Sequence, residues 1–277
     1  MIWLNGRLVA RGQAHIDPAD RGFLLADGLF ETLLARRGHI VMLEEHLQRL
    51  AAGAAELGIP LPLDPPGIAE AARETLHANH LLAEKAALRI TLTRGPGQRG
   101  LLPPDDPRPS LLISAAAYHP PEAEGYAAIT AKRTRRNEKS LTARLKTLGY
   151  LDNVIAQAEA AAAGADEAIM LNGAGQVACG ARSNLFAVID GILMTPPVGE
   201  GALPGIARRA VLGLCKAEQV QVAERAIAPA SLRAASEMFI TNSLLGLMPV
   251  RRLDGADLAA GSIARRLAQA YSASLPC

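Results

Sequence analysis

Lys146 lies in the segment ARLKTLGYLDN, between a cationic stretch and the start of a helix. A lysine that attacks a carbonyl must offer a neutral amine, which burial or cationic neighbours promote. Arg144 and the run Arg133–Arg136 are such neighbours. Only five lysines (Lys85, Lys132, Lys139, Lys146, Lys216) occur among 29 basic residues, so arginine is the default cation here. A retained lysine leans towards uses that need a deprotonable amine, which arginine cannot supply. Arg49 sits in LEEHLQRL at the edge of an apolar stripe, where a guanidinium can meet a phosphate bidentately. Gly205-Ile206 opens a helix directly after Leu203-Pro204, and unpaired N–H groups at a helix start receive anions. Taken singly, a solvated lysine, a solvated arginine and ordinary helix punctuation explain these features at least as well.

The segment RGPGQRGLLPP (Arg94–Pro104) carries a literal G-x-G-x-x-G at Gly95, Gly97 and Gly100. It follows a strand pattern, as a dinucleotide-binding turn should, but Leu-Leu-Pro-Pro-Asp-Asp-Pro cannot open the helix that such a turn requires. A mobile loop carrying Arg94 and Arg99 towards a carboxylated ligand fits better. There is no H-E-x-x-H, C-x-x-C, P-loop or G-x-S-x-G, and six scattered histidines offer no metal-ligand spacing, so no metal is expected.

The elements that must position these residues can be read in outline. Met1–Arg11 is a hairpin around Asn5-Gly6. LEEHLQRLAAGAAELG places Leu43, Leu47, Leu50, Ala54 and Leu57 on one helix face, with Gly58 as its stop. A second helix is expected over Ile68–Glu84. ALRITLTR alternates, with Leu88, Ile90 and Leu92 opposite Arg89, Thr91 and Thr93. SLLISAAAY is another strand, and HPPEAEG is the linker candidate. Beyond it come a strand near Ala127–Arg133, an alanine-rich helix Leu151–Ala163, and strands EAIML, QVAC, NLFAVI and ILMT punctuated by Asn172–Gly175 and Asp190-Gly191. The helix IARRAVLGLCKA, the strand EMFIT and a helix over Ala256–Ala273 complete the chain. This gives an α+β fold in two domains, 1–118 and 126–277, joined by a linker at 119–125.

The 277 residues are enough for two cores. The 29 basic and 27 acidic residues nearly cancel, leaving no electrostatic footprint for nucleic acid or an anionic membrane. The N-terminus carries charge where a signal peptide needs an apolar run, and no segment reaches the length of a membrane span. Cys179, Cys215 and Cys277 are odd in number and widely spaced, which points to reduced thiols and a cytoplasmic protein.

Order and spacing say more than any single residue. DRGFLLADGLFETL (Asp20–Leu33), EEHLQRL (Glu44–Leu50), KTLGYLDNVIAQAEAAAAGADEAIMLNGAGQVACGARSNLF (Lys146–Phe186), TPPVGEGALPGIAR (Thr195–Arg208) and EMFITNSLLGLMPV (Glu237–Val250) follow one another as in class IV aminotransferases and lyases. The chain resembles that family over nearly its whole length. The resemblance implies fold type IV, a small α+β domain and a larger pseudo-barrel domain, with pyridoxal 5'-phosphate (PLP) between them in a homodimer. It implies that Lys146 forms the Schiff base and moves protons at the substrate carbon. Arg49 matches the arginine that binds the cofactor phosphate. Ile206 and Ala207 match the helix-start pair whose N–H groups hold it, although the second is often threonine. Ser243 matches a hydroxyl at the same phosphate, and Tyr150 resembles a tyrosine near the ring oxygen. Phe30 and Thr32, in the first motif, would face a small-molecule amino substrate, with Arg94 or Arg99 on its carboxylate.

Cys179 is the departure. In VACGARSNLF it stands where the family usually has glutamate, the carboxylate that keeps the pyridine nitrogen protonated and the ring a strong electron sink. A cysteine is a weak hydrogen-bond partner, and a buried thiol usually stays neutral. Transamination leans on a stabilised carbanion, whereas an elimination that expels its leaving group as charge develops needs the sink less. RGPGQRG also resembles the lyase's R-G-x-G-x-R-G, and TNSLLGLMPV its T-N-S-L-x-G-x-x-P-V. The expectation is 4-amino-4-deoxychorismate lyase chemistry in folate synthesis, with aminotransfer on D-amino or branched-chain amino acids as the alternative.

Overall fold

The computed structural model describes residues 1–259 and 261–275; Ala260, inside the last expected helix, and Cys277 lie outside the described residues. The chain divides into two compact units, Met1–Pro120 with Lys146–Gly149, and Pro121–Leu145 with Tyr150–Leu275. The four residues that begin at Lys146 therefore belong with the first unit, although the chain has already entered the second.

The first unit contains β1 (Ile2–Leu4), β2 (Arg7–Val9), α1 (Arg21–Leu25), β3 (Gly28–Arg36), β4 (His39–Ile40), α2 (Leu43–Glu56), α3 (Pro65–Ala78), β5 (Lys85–Thr93) and β6 (Ser110–Ala117). Its strands form one antiparallel sheet in the order β2-β1-β6-β5-β3-β4. Leu88, Ile90 and Leu92 of β5 are fully buried, as their alternation requires. Leu47, Leu50 and Ala54 bury one face of α2. The helix expected over Ile68–Glu84 instead starts at Pro65 and ends at Ala78. The Asp64 carboxylate accepts the Gly67 N–H, and Pro65-Pro66 supplies two preset φ angles where no N–H is needed. His80, in the left-handed region at φ 59°, follows the helix end.

β4 pairs only with the last two residues of β3, leaving the first part of that edge open. Lys146–Gly149 fills it: Phe30 N–H donates to the Lys146 carbonyl (2.9 Å) and Leu148 N–H to the Gly28 carbonyl (3.0 Å). The approach explains Gly28, where a Cβ would collide with the Leu92 carbonyl and lie 2.9 Å from Leu148 Cδ1.

The second unit contains β7 (Tyr126–Thr130), α4 (Leu151–Ala162), β8 (Glu167–Leu171), β9 (Val177–Gly180), β10 (Asn184–Ile189), β11 (Ile192–Thr195), α5 (Ile206–Ala217), β12 (Val222–Glu224), α6 (Pro229–Arg233), β13 (Glu237–Asn242), β14 (Gly246–Leu253), β15 (Ala256–Asp257) and α7 (Ser262–Ser274). Its mixed sheet runs β12-β11-β10-β13-β14-β7-β8-β9, with β15 on β14. β9 turns through Ala181–Ser183 straight into β10, five places away along that order, so the sheet curls back on itself. Ile169, Val177, Leu185, Ile240 and Val250 share the core it encloses. The sequence gives no warning of β14, which carries Pro249 and a register shift between Val250 and Arg252. The last helix starts at Ser262 rather than Ala256, because Asp254-Gly255, both at positive φ, turn β14 into β15 first.

Candidate active site

Strand β3 organises the first unit's candidates. Residues 30 and 32 face one side of the sheet and residue 31 the other. On the first side the Phe30 ring packs with Lys146 Nζ 4.1 Å from its centroid, and with Arg89 Cζ at 3.9 Å. Thr32 stands opposite Arg89 in the β3–β5 register, and Arg89 Nε donates to Thr91 Oγ1 (3.2 Å). The structure thus brings Lys146 and Phe30 together and adds Arg89, a cation that the alternation of β5 placed on this face without marking it as part of a site.

On the other side Glu31 is completely buried. Its carboxylate accepts from Arg49 Nε (2.8 Å), Arg49 Nη2 (2.6 Å) and His46 Nδ1 (2.6 Å). Burial pushes this carboxyl up, but the hydrogen bonds and charges of His46 and Arg49 outweigh it and hold the group below the usual glutamate value. Arg49, expected from its motif to bind the cofactor phosphate, pairs here with Glu31, a partner that sequence reading missed.

The arginine-rich loop is more tied down than its composition suggests. Arg94 is buried, with Nε and Nη2 on Asp27 (2.8 and 3.1 Å) and Nη1 and Nη2 on the Gly58 and Leu57 carbonyls (2.9 Å each). Arg21 of α1 also pairs with Asp27 (2.8 Å) and donates to the carbonyls of Gly100, Leu101 and Leu102. The two guanidinium groups hold the Asp27 carboxyl below its usual value against the upward push of burial. Arg99, by contrast, lines a cavity of about 510 Å³ with Leu24, Leu25 and Gln98.

In the second unit Cys179 lies on β9 opposite Met170, only 5 % exposed, among Ala178 and Ala202. Burial pushes its thiol up to about 11; Glu167 adds to the shift and Arg136 opposes it. Glu167 itself is wholly buried and accepts from Ser183 Oγ (2.8 Å) and the N–H groups of Ala168 and Ala181 (3.1 and 3.0 Å). Desolvation dominates there and raises its carboxyl.

Ile206 and Ala207 are the first residues of α5, both buried, and Gly205 provides no side-chain cap for the N–H groups. A Cβ at Gly205 would collide with Asn184 Oδ1, and Asn184 Nδ2 donates to the Leu203 carbonyl (2.9 Å), fixing the turn into the helix. Thr241 is paired in register with Asn184, and its Oγ1 is buried without a hydrogen-bond partner. Ser243 follows in the β13–β14 turn, where Asn242 Oδ1 accepts from the N–H groups of Leu244 and Leu245. Uncapped N–H groups, a glycine with no room for a Cβ and an orphaned hydroxyl suit a phosphate. Tyr150 is the N-cap residue of α4. Among the described residues no group of three or more His, Cys, Asp or Glu is arranged to hold a metal, and no helix is long and apolar enough to cross a membrane.

Residues 28–253 match the family described as Amino-transferase class IV. The chain belongs to the class IV aminotransferase family. A putative branched-chain-amino-acid aminotransferase of Methanocaldococcus jannaschii is 37 % identical over 255 residues, covering 92 % of this chain and 88 % of the relative. A D-alanine aminotransferase of Staphylococcus epidermidis is 30 % identical over 277 residues, covering 98 % and 96 %. The solved 4-amino-4-deoxychorismate lyase of Pseudomonas aeruginosa superposes with a TM-score of 0.86 at 33 % identity, covering 99 % of both chains. The fold is that of fold type IV PLP enzymes, an α+β arrangement of smaller and larger domains. Class IV enzymes are PLP-dependent aminotransferases or lyases acting on amino or keto acids, and the cofactor of this one is pyridoxal phosphate.

Proposed function

We propose that this class IV enzyme is a cytoplasmic lyase that converts 4-amino-4-deoxychorismate to 4-aminobenzoate and pyruvate, a step of folate synthesis. The observation that carries the reading is Cys179, a buried thiol neutral at physiological pH where the family's carboxylate usually stands. PLP supplies an electron sink for charge that develops at the amine-bearing carbon. A neutral thiol does little to keep the ring nitrogen protonated, so it favours a reaction in which the leaving group carries the charge away. Lys146 takes the proton from that carbon as general base, and the enolpyruvyl group departs as the ring becomes aromatic.

The other roles follow from the same reading. Arg49, the N–H groups of Ile206 and Ala207, and Ser243 bind the phosphate, and Tyr150 sits beside the ring oxygen. Phe30 and Thr32 meet the substrate. Arg99 and Arg89 take its carboxylates, a task for which Arg94 is poorly placed because Asp27 and two carbonyls engage its donors. A homodimer is supported by the exposed Phe23, Leu24, Leu25, Leu101 and Leu102; Arg21, next to the first three in α1, donates to the Leu101 and Leu102 carbonyls.

The similarity to branched-chain and D-alanine aminotransferases favours a second reading, amino transfer on those substrates. Incubating PLP-loaded protein with 4-amino-4-deoxychorismate should give 4-aminobenzoate and pyruvate in equal amounts. Keto-acid formation from leucine or D-alanine, with no 4-aminobenzoate, would overturn the lyase reading. Replacing Cys179→Glu should shift activity towards amino transfer, read as keto acid formed per 4-aminobenzoate.

A further inference from the structure

We propose that Glu31, together with His46, is a positioning residue that fixes the guanidinium plane of Arg49 and so sets how strongly the chain discriminates for a phosphorylated cofactor. The inference rests on the reading of Arg49 as the phosphate ligand.

The geometry is a fork closed on a strand. Arg49 and His46 are three residues apart on α2, one helical turn, and both reach the same carboxylate of β3. Nε and Nη2 take one oxygen each, a bidentate pairing that fixes the orientation of the guanidinium as well as its distance. An ionised carboxylate only accepts, so His46 carries its proton on Nδ1, and the third bond keeps Glu31 from turning with the arginine. A free arginine side chain surrenders about 2 kcal/mol of rotamer entropy when it is immobilised on a ligand. The Glu31 clamp removes most of that penalty before any ligand arrives, because Glu31 is itself buried in a strand and held by three hydrogen bonds. Adjacent residues of one strand thereby set two parts of the site: Phe30 packs beneath Lys146 on one face, and Glu31 orients Arg49 on the other.

The test compares PLP with pyridoxal, which lacks the phosphate, by absorbance titration of the folded protein. In Glu31→Gln the preference for PLP over pyridoxal should fall about tenfold, the scale of one charge-assisted hydrogen bond, while pyridoxal affinity holds. Glu31→Asp keeps the charge but shortens the reach, so it should lose about half of that preference on a logarithmic scale even if Glu31→Gln folds poorly. In an Arg49→Lys background neither change should reduce the preference further. An unchanged preference in both Glu31 variants overturns the proposal, as does an equal loss with and without Arg49. If Arg49→Lys itself leaves the preference intact, the phosphate reading of Arg49 fails first and this inference falls with it.

Discussion

Two buried glutamates behave in opposite ways. Glu31 in the first unit and Glu167 in the second are both fully inaccessible, both on strands, and both triply hydrogen-bonded. Glu31 is held below the ordinary glutamate value and Glu167 is raised above it. The difference lies in the donors. A guanidinium brings charge to Glu31 and the His46 ring a further donor, whereas Glu167 receives a hydroxyl and two backbone N–H groups, with Arg182 more distant at 3.9 Å. Burial alone therefore does not decide ionisation; the charge of the partners does. At Cys179 no partner charge outweighs burial, and it stays a thiol.

Substitution should separate the two sites sharply. Glu31→Gln removes the buried carboxylate that Arg49 pairs with and should destabilise the protein by about 3 kcal/mol, seen as a lower urea midpoint. Glu167→Gln keeps the shape of the side chain and an oxygen that accepts from the Ala168 and Ala181 N–H groups, and should cost no more than about 1 kcal/mol. Equal losses would mean that charged partners matter no more at Glu31 than the hydroxyl and N–H donors do at Glu167, and the contrast would be wrong.

Their pH dependences should also differ in sign. The Glu31 contribution is present above 4.5, the ordinary glutamate value, and is lost as pH falls through its lower folded value. The Glu167 contribution is present below 4.5 and is lost as pH rises through its higher folded value. Urea midpoints measured across the acid range should flatten on the acid side in Glu31→Gln and improve on the alkaline side in Glu167→Gln. Ser183→Ala should cost about 0.5 kcal/mol, the low end for one lost hydrogen bond, here to Glu167, with the Glu31 site untouched.

The legible and illegible parts of the sequence divide along similar lines. Helices α2 and α4 announce themselves by periodicity and by the glycines that stop them, α5 by its Leu203-Pro204-Gly205 start, and strand β5 by alternation, because each buries one face. β3 has no alternation to find, since seven of its nine residues are buried, Glu31 among them. β14 is masked by Pro249, and the Asp254-Gly255 hairpin is hidden inside a stretch with helical composition. Lys146, Arg49, Ile206 and Ser243 could be singled out only by the order of their motifs. Arg89, Asn184, Thr241 and the clamp residues Glu31 and His46 could not, because their significance comes from partners that the chain brings together only on folding. The loop arginines teach the reverse lesson: Arg94 looked available, yet Asp27 and the Leu57 and Gly58 carbonyls engage it.

Lys146, which returns to the edge of β3 to lie over Phe30, is the residue expected to form the Schiff base. PLP-loaded protein reduced with borohydride, digested and mapped by mass spectrometry should carry the phosphopyridoxyl mass on the peptide containing Lys146 and on no other lysine. A label on Lys85, Lys132, Lys139 or Lys216 instead, or no label at all, would contradict it.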